Sequence, residues 1–154
     1  YEAELSLGKT TNTLDTEGQI ISQKSIPDIS LDFIIDTLKS FIGHQKQSPP
    51  MFSAKKHNGT RLYKLARQGI VVKREDIDII INKIDLINFD GQNIKFRVEC
   101  SKGTYIRVLG KDVAEKLGTI GYLTALTRTN VGEYSINESF SIESFTESWK
   151  SINH

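Results

Sequence analysis

Tyr105 and Arg107 stand two residues apart in the segment Cys100-Ser101-Lys102-Gly103-Thr104-Tyr105-Ile106-Arg107. The segment links an alternating run that reads as a strand to an apolar stripe, Ile106, Leu109, Val113 and Leu117, that reads as a helix. A cation in the first turn of a helix adds to the positive end of the helix dipole. Arg107 in that place asks for an anion, either a carboxylate or a phosphate. A carboxylate held by Arg107 would be kept ionised and could act as nucleophile or base. Tyr105 would offer its ring to a flat substrate. The competing reading is a structural Arg–Asp pair beside a core tyrosine, and these residues alone do not choose between the two.

Other reactive side chains give less. Tyr1 lies on the apolar face of a run in which Tyr1, Ala3, Leu5 and Leu7 alternate with polar residues, so its default role is core packing, ahead of a platform for substrate. Asp15 reads as an Asx-type turn residue, and Asp112 as a structural or surface residue of the helix after Arg107. His44, His57 and His154 have no metal-binding spacing and form no triad with Cys100. The single cysteine rules out an internal disulfide and reads as a core residue in a reducing compartment. No Gly-rich phosphate loop is present, and nothing calls for a metal or an organic cofactor.

Charge is distributed unevenly. Residues 44–75 hold Lys46, Lys55, Lys56, Arg61, Lys64, Arg67, Lys73 and Arg74 against Glu75, a balance of +7 in a chain whose net charge is +1. Such a segment on an acidic body suits a local polyanion contact; a solvated loop is the plainer alternative. Within it, Met51, Phe52 and Tyr63 interleave with lysines and arginines. That mixture suits nucleic acid, with cations on phosphates and rings on bases or sugars.

The elements that must position these residues follow from pattern. Length, 38% apolar and 25% charged residues fit one soluble globular domain, and no apolar run reaches membrane-spanning length. Strands are expected at Tyr1–Leu7, Gln19–Lys24, Ile70–Val72, Ile77–Phe89 with a bulge near Asn82-Lys83, and Ile94–Cys100 after an Asp90-Gly91 hairpin turn. Gly121–Tyr134 should be extended. Ser30 should cap a helix from Leu31 to about Ile42 that Gly43 stops. Thr60 should cap a short basic helix, Arg61–Gln68, Thr104 the helix after Gly103, and Ser141 a last short one. Residues 44–58 lack periodicity. The class is α+β, with strands mostly in hairpins and helices packed on one face.

Several motifs together resemble the TruB family of tRNA pseudouridine-55 synthases. They are Tyr1 and Lys9 followed by Thr11-x-Thr13-x-Asp15-x-x-Gly18; Pro50-Met51-Phe52-Ser53-Ala54-Lys55-Lys56 with Gly59-x-Arg61-Leu62-Tyr63-x-x-Ala66-Arg67-x-Gly69; the Cys100–Arg107 segment; and Leu126-Thr127-Arg128-Thr129 with Val131-Gly132. Order and spacing agree from Tyr1 to about Tyr134.

The resemblance implies a pseudouridine-synthase-like catalytic domain, with a mixed, mostly antiparallel sheet and helices packed on it. It implies a cofactor-free, metal-free isomerase that flips a T-loop uridine out of tRNA and returns it as pseudouridine. Tyr1 would pack on the flipped base, Tyr105 would line the pocket and help move a proton, and Arg107 would pair with the catalytic Asp. Leu126 would close the apolar wall. The basic segment would be an RNA-gripping thumb, and Lys55, Lys56, Arg61, Tyr63, Arg67, Lys102 and Arg128 would touch RNA. The expected partner is the tRNA T-arm, with no membrane, and the enzyme is expected to be monomeric and cytoplasmic.

There are departures from the family pattern. The family's nucleophilic Asp sits in a Gly-x-Leu-Asp loop upstream of the residue matched by Tyr1, and that loop is absent here. Neither Asp15 nor Asp112 matches it. The chain opens at Tyr1 in mid-strand, so it is expected to be a piece of a longer enzyme, inactive by itself. Residues 1–138 would be a partial catalytic domain, with 44–75 as the thumb and 139–154 as a tail or the start of a further segment. The family's small C-terminal RNA-binding domain is not visible. Phe52 replaces a common Tyr, and Thr127 replaces a frequent Arg. Two alternatives stay open: a non-catalytic T-arm binding module or RNA chaperone, and a guide-RNA-dependent synthase.

Overall fold

The computed structural model describes residues 1–152; His154 lies outside them. Its centre is a five-stranded sheet in the order β4-β7-β8-β1-β9, formed by Gly43–Gln47, Ile77–Phe89, Asn93–Cys100, Glu2–Leu7 and Gly121–Thr127. Every neighbouring pair is antiparallel, β2 (Lys9–Thr11) and β3 (Ile20–Gln23) form a separate antiparallel hairpin, and a parallel bridge joins Asp15 to Leu123. Ala3, Leu5 and Leu7 alternate along β1, an inner strand of the sheet, and all three are buried. Phe96, Ile94 and Val98 do the same on β8. The helices α1 (Leu31–Lys39) and α3 (Ile106–Lys116) cover this face through Ile34, Leu38, Ile106, Leu109 and Val113.

The long strand β7 slips register twice, between Ile81 and Lys83 as its apolar phase predicts, and again between Leu86 and Asn88. Asp90 closes the turn to β8: its carboxylate accepts from the Gln92 N–H at 2.9 Å and from Asn93 Nδ2 at 3.0 Å. Gly91 there takes φ +95°, a region that side chains disfavour.

Other expectations need correction. Helix α1 has its cap at Ser30, which accepts from the Phe33 N–H at 3.2 Å, but it ends at Lys39, and Gly43 opens a strand instead. That strand, β4, was invisible to apolar alternation because its inward positions are Gln45 and Gln47. They are satisfied by hydrogen bonds rather than by apolar burial. The basic excursion therefore leaves the sheet after Gln47 and rejoins at Ile77, and residues 44–47 are sheet. Ile70–Val72 forms no strand. Thr60 belongs to a two-residue strand rather than to a helix cap, and Thr104 turns its hydroxyl back to the Ser101 carbonyl at 2.8 Å. The Gly121–Tyr134 stretch divides into β9 and a small hairpin, β10 (Asn130–Val131) with β11 (Tyr134–Ser135). Ser141 does cap the last helix, α4 (Ile142–Ile152), its Oγ accepting from the Ser144 N–H at 3.1 Å.

Candidate active site

The first turn of α3 is the best-organised polar region of the fold. Tyr105 is its N-cap residue, in an extended conformation and without a side-chain cap bond. Arg107 follows and is about three-quarters buried. Its Nη1 donates to the Thr13 carbonyl and to Asp15 Oδ2, both at 2.8 Å, and its Nη2 donates to the Phe52 carbonyl at 2.9 Å. Two carbonyls and one carboxylate thus offset a cation placed at the wrong end of a helix dipole. The remaining Nε–H and second Nη2–H make no hydrogen bond among the described residues.

Asp15 is the turn residue that its sequence suggested. Its Oδ1 accepts from the Glu17 N–H at 3.1 Å and from the Thr13 hydroxyl. It is also the carboxylate partner of Arg107, across 92 residues, which the spacing did not reveal. The structural pair weighed for Arg107 is therefore real, and it occupies only one end of the guanidinium. Asp112 is taken up differently. Lys111 Nζ lies 3.4 Å from its Oδ1, and burial raises its pKa in spite of that lysine. Burial likewise pushes the Cys100 thiol up, which keeps it protonated and poor as a nucleophile.

Gln47 was also missed. It ends β4 and is 3% exposed. Its Oε1 accepts from the Tyr105 N–H at 2.7 Å, and its Nε2 donates to the Tyr105 carbonyl at 3.1 Å. Only a pairing across 58 positions carries this role, so no local pattern could have found it.

The sheet brings the other candidates to the same end. Glu2 pairs with Arg97 on one side and Thr127 on the other, so β1 begins where β8 and β9 finish. Tyr1 is half-buried there, and its main-chain N and O bond to Val98 at 2.9 Å each. Leu126 is opposite Ala3, which places both on the core-bearing face, as directly paired residues must be. Ala3 is covered, whereas Leu126 is 45% exposed. Tyr1 and Cys100 border an open cleft with Thr129 and Asn130; Tyr105 and Arg107 do not line it.

The basic segment expected to be a thumb contains a hairpin, β5 (Lys56–His57) with β6 (Thr60–Arg61), followed by α2 (Leu62–Arg67). Buried Leu62 and its N–H bond to the Lys55 carbonyl, 2.8 Å, pin it. Lys56 pairs with Arg61 across the hairpin, and both line a groove with Tyr63 and Lys64. Arg67 sits 5.5 Å from the centre of the Tyr63 ring. Lys55 reaches the Glu75 carbonyl at 3.5 Å. Lys102 and Arg128 are exposed, away from the thumb in sequence. Among the described residues none of Lys56, Arg61, Lys64, Arg67, Lys102 or Arg128 forms an ion pair with a carboxylate.

A family model described as TruB family pseudouridylate synthase (N terminal domain) matches residues 1–106. The chain belongs to this family. Among TruB-family relatives, the tRNA pseudouridine synthase B of Psychrobacter cryohalolentis is 43% identical over 142 residues, covering 92% of this chain and 40% of the relative. That of Clostridium perfringens is 45% identical over 148 residues, covering 96% of this chain and 50% of the relative. The chain thus spans half or less of the length of these two relatives. A solved Cbf5-Nop10-Gar1 complex superposes with a TM-score of 0.63 at 22% identity, covering 99% of this chain and 38% of the matched one. An H/ACA RNP bound to a substrate RNA containing 2′-deoxyuridine gives 0.61 at 19% identity, covering 99% and 35%. At that identity the likeness establishes the fold, an α+β domain of the pseudouridine synthase kind.

Proposed function

We propose that the protein to which this chain belongs isomerises a T-loop uridine of tRNA, position 55, to pseudouridine. One observation carries the reading. Arg107 is held by Thr13, Asp15 and Phe52, which take both Nη1–H groups and one Nη2–H, yet its Nε–H and second Nη2–H have no partner among the described residues. Those N–H groups are left to donate to a further carboxylate. That carboxylate is the nucleophilic Asp that the family carries upstream of the position matched by Tyr1.

The reaction breaks the N1–C1′ bond, turns the base, and forms a C5–C1′ bond. The C5 proton leaves and N1 ends protonated. A uridine must be out of its stack before this can happen. Tyr1 packs on the flipped base, Leu126 supplies the apolar wall, and Tyr105 lines the pocket and assists proton transfer. Lys55, Lys56, Arg61, Tyr63 and Arg67 on the thumb, with Lys102 and Arg128, hold the T-arm. The unpaired thumb cations support that assignment. We take the enzyme to be a monomer working in the cytoplasm, where tRNA is modified.

The test uses the full-length parent and a tRNA transcript labelled with tritium at uridine C5. Release of one tritium per tRNA is expected. Tight T-arm binding without release would instead favour the binding-module reading, to which the thumb alone would be suited.

A further inference from the structure

We propose that Gln47 is a positioning residue, holding the main chain of Tyr105 to the root of the thumb so that RNA grip and pocket geometry are set together. The inference rests on the isomerase reading above. Gln47 and Ile77 form the sheet pair from which the excursion of residues 48–76 departs and to which it returns. The side chain of Gln47 is turned inward, 3% exposed, and makes both of its bonds to a single residue.

A primary amide carries a donor and an acceptor side by side without any charge. It can satisfy the N–H and C=O of one residue at once, and here it does so for Tyr105. The Tyr105 N–H finds its acceptor in Gln47 at 2.7 Å, while the Tyr105 carbonyl also accepts from the Val108 and Leu109 N–H groups at 3.1 Å, so the amide joins the N-cap peptide to the first turn of the helix. Gln47 fixes the peptide on either side of the Tyr105 ring. Five residues further along the outgoing chain, the Phe52 carbonyl accepts from Arg107. The thumb is therefore tied to the first turn of α3 at two points, one beneath each functional side chain. A shift of the thumb root moves both.

The test compares the full-length parent with its Gln47→Leu and Gln47→Glu variants. Leu removes both bonds at similar volume. Glu keeps an acceptor for the Tyr105 N–H and, assayed at a pH high enough to ionise it, sets a carboxylate against the Tyr105 carbonyl. Four quantities are measured: kcat by tritium release, KM and Kd for tRNA, and Tm. Both variants are expected to lose kcat by about tenfold to a hundredfold, the scale of a misplaced active-site group. KM and Kd should stay within about twofold. Release by the wild type with unchanged kcat in the variants overturns the inference alone. So does a loss that appears only as weaker tRNA binding, or one that tracks a fall in Tm across the two variants. If Gln47→Leu melts below assay temperature, Gln47→Glu decides by the same criteria. No release by the wild type overturns the isomerase reading, and this inference with it.

Discussion

Arg107 was legible in the sequence because its position conflicts with the helix dipole, and such conflicts need an anion nearby. What could not be read was how its donors divide between partners. Thr13, Asp15 and Phe52 lie 94, 92 and 55 residues away, and no periodicity links them to Arg107. The division has consequences. Arg107→Lys in the parent should lower kcat by about a hundredfold, since an ammonium cannot hold three partners in a plane and still present a fork to a fourth. Turnover near the wild-type rate would remove Arg107 from the chemistry. Asp15→Asn keeps an acceptor for the Glu17 N–H but removes the charge facing Nη1. It should cost about 1–2 kcal/mol in urea unfolding, the worth of a charge-assisted bond at a partly buried site. Unchanged stability would mean that the two carbonyls suffice to hold the guanidinium.

At the scale of elements, strands with one apolar face were readable, and those without were not. β1, β7 and β8 follow period-two alternation, and the Asp90-Gly91 turn fixes the β7–β8 hairpin. β4 has polar residues on its inner face, so its pairing depends on Tyr105 and Phe41 carbonyls that only the fold supplies. The seat of α3 depends on a close approach at Gly121. A Cβ there would meet Leu5 Cδ1 at 2.7 Å, Ala114 Cβ at 2.9 Å and the Ser6 carbonyl at 3.0 Å. Gly121→Ala should therefore destabilise the fold by about 1–3 kcal/mol, read as a lower Tm, because it wedges α3 from β1 and β9. A neutral result would show that this packing can yield. On the thumb, Lys56 and Arg61 are cross-strand partners. The double variant Lys56→Ala, Arg61→Ala should reduce the salt slope of tRNA binding by about 1.5, since each neutralised phosphate accounts for roughly 0.7–0.9 of that slope. An unaltered slope would mean that both side chains face solvent in the complex.

For the whole molecule, the sheet brings the start of β1 and the ends of β8 and β9 to one side, and α3 begins there. Tyr1 and Leu126 are thus brought to that side of the sheet, while Tyr105 and Arg107 sit at the start of α3 and do not line the cleft that Tyr1 borders. The roles proposed for them come from resemblance to the TruB family, because composition and periodicity reach only as far as α+β with a basic excursion. That excursion leaves and rejoins the sheet at paired positions, Gln47 and Ile77, so its two ends are held side by side. The most direct test of the central claim is to incubate the full-length parent with unmodified tRNA transcript and map pseudouridine nucleotide by nucleotide. The expected result is a single new pseudouridine at position 55 of the T-loop. Intact T-arm binding with no pseudouridine at any position would contradict it.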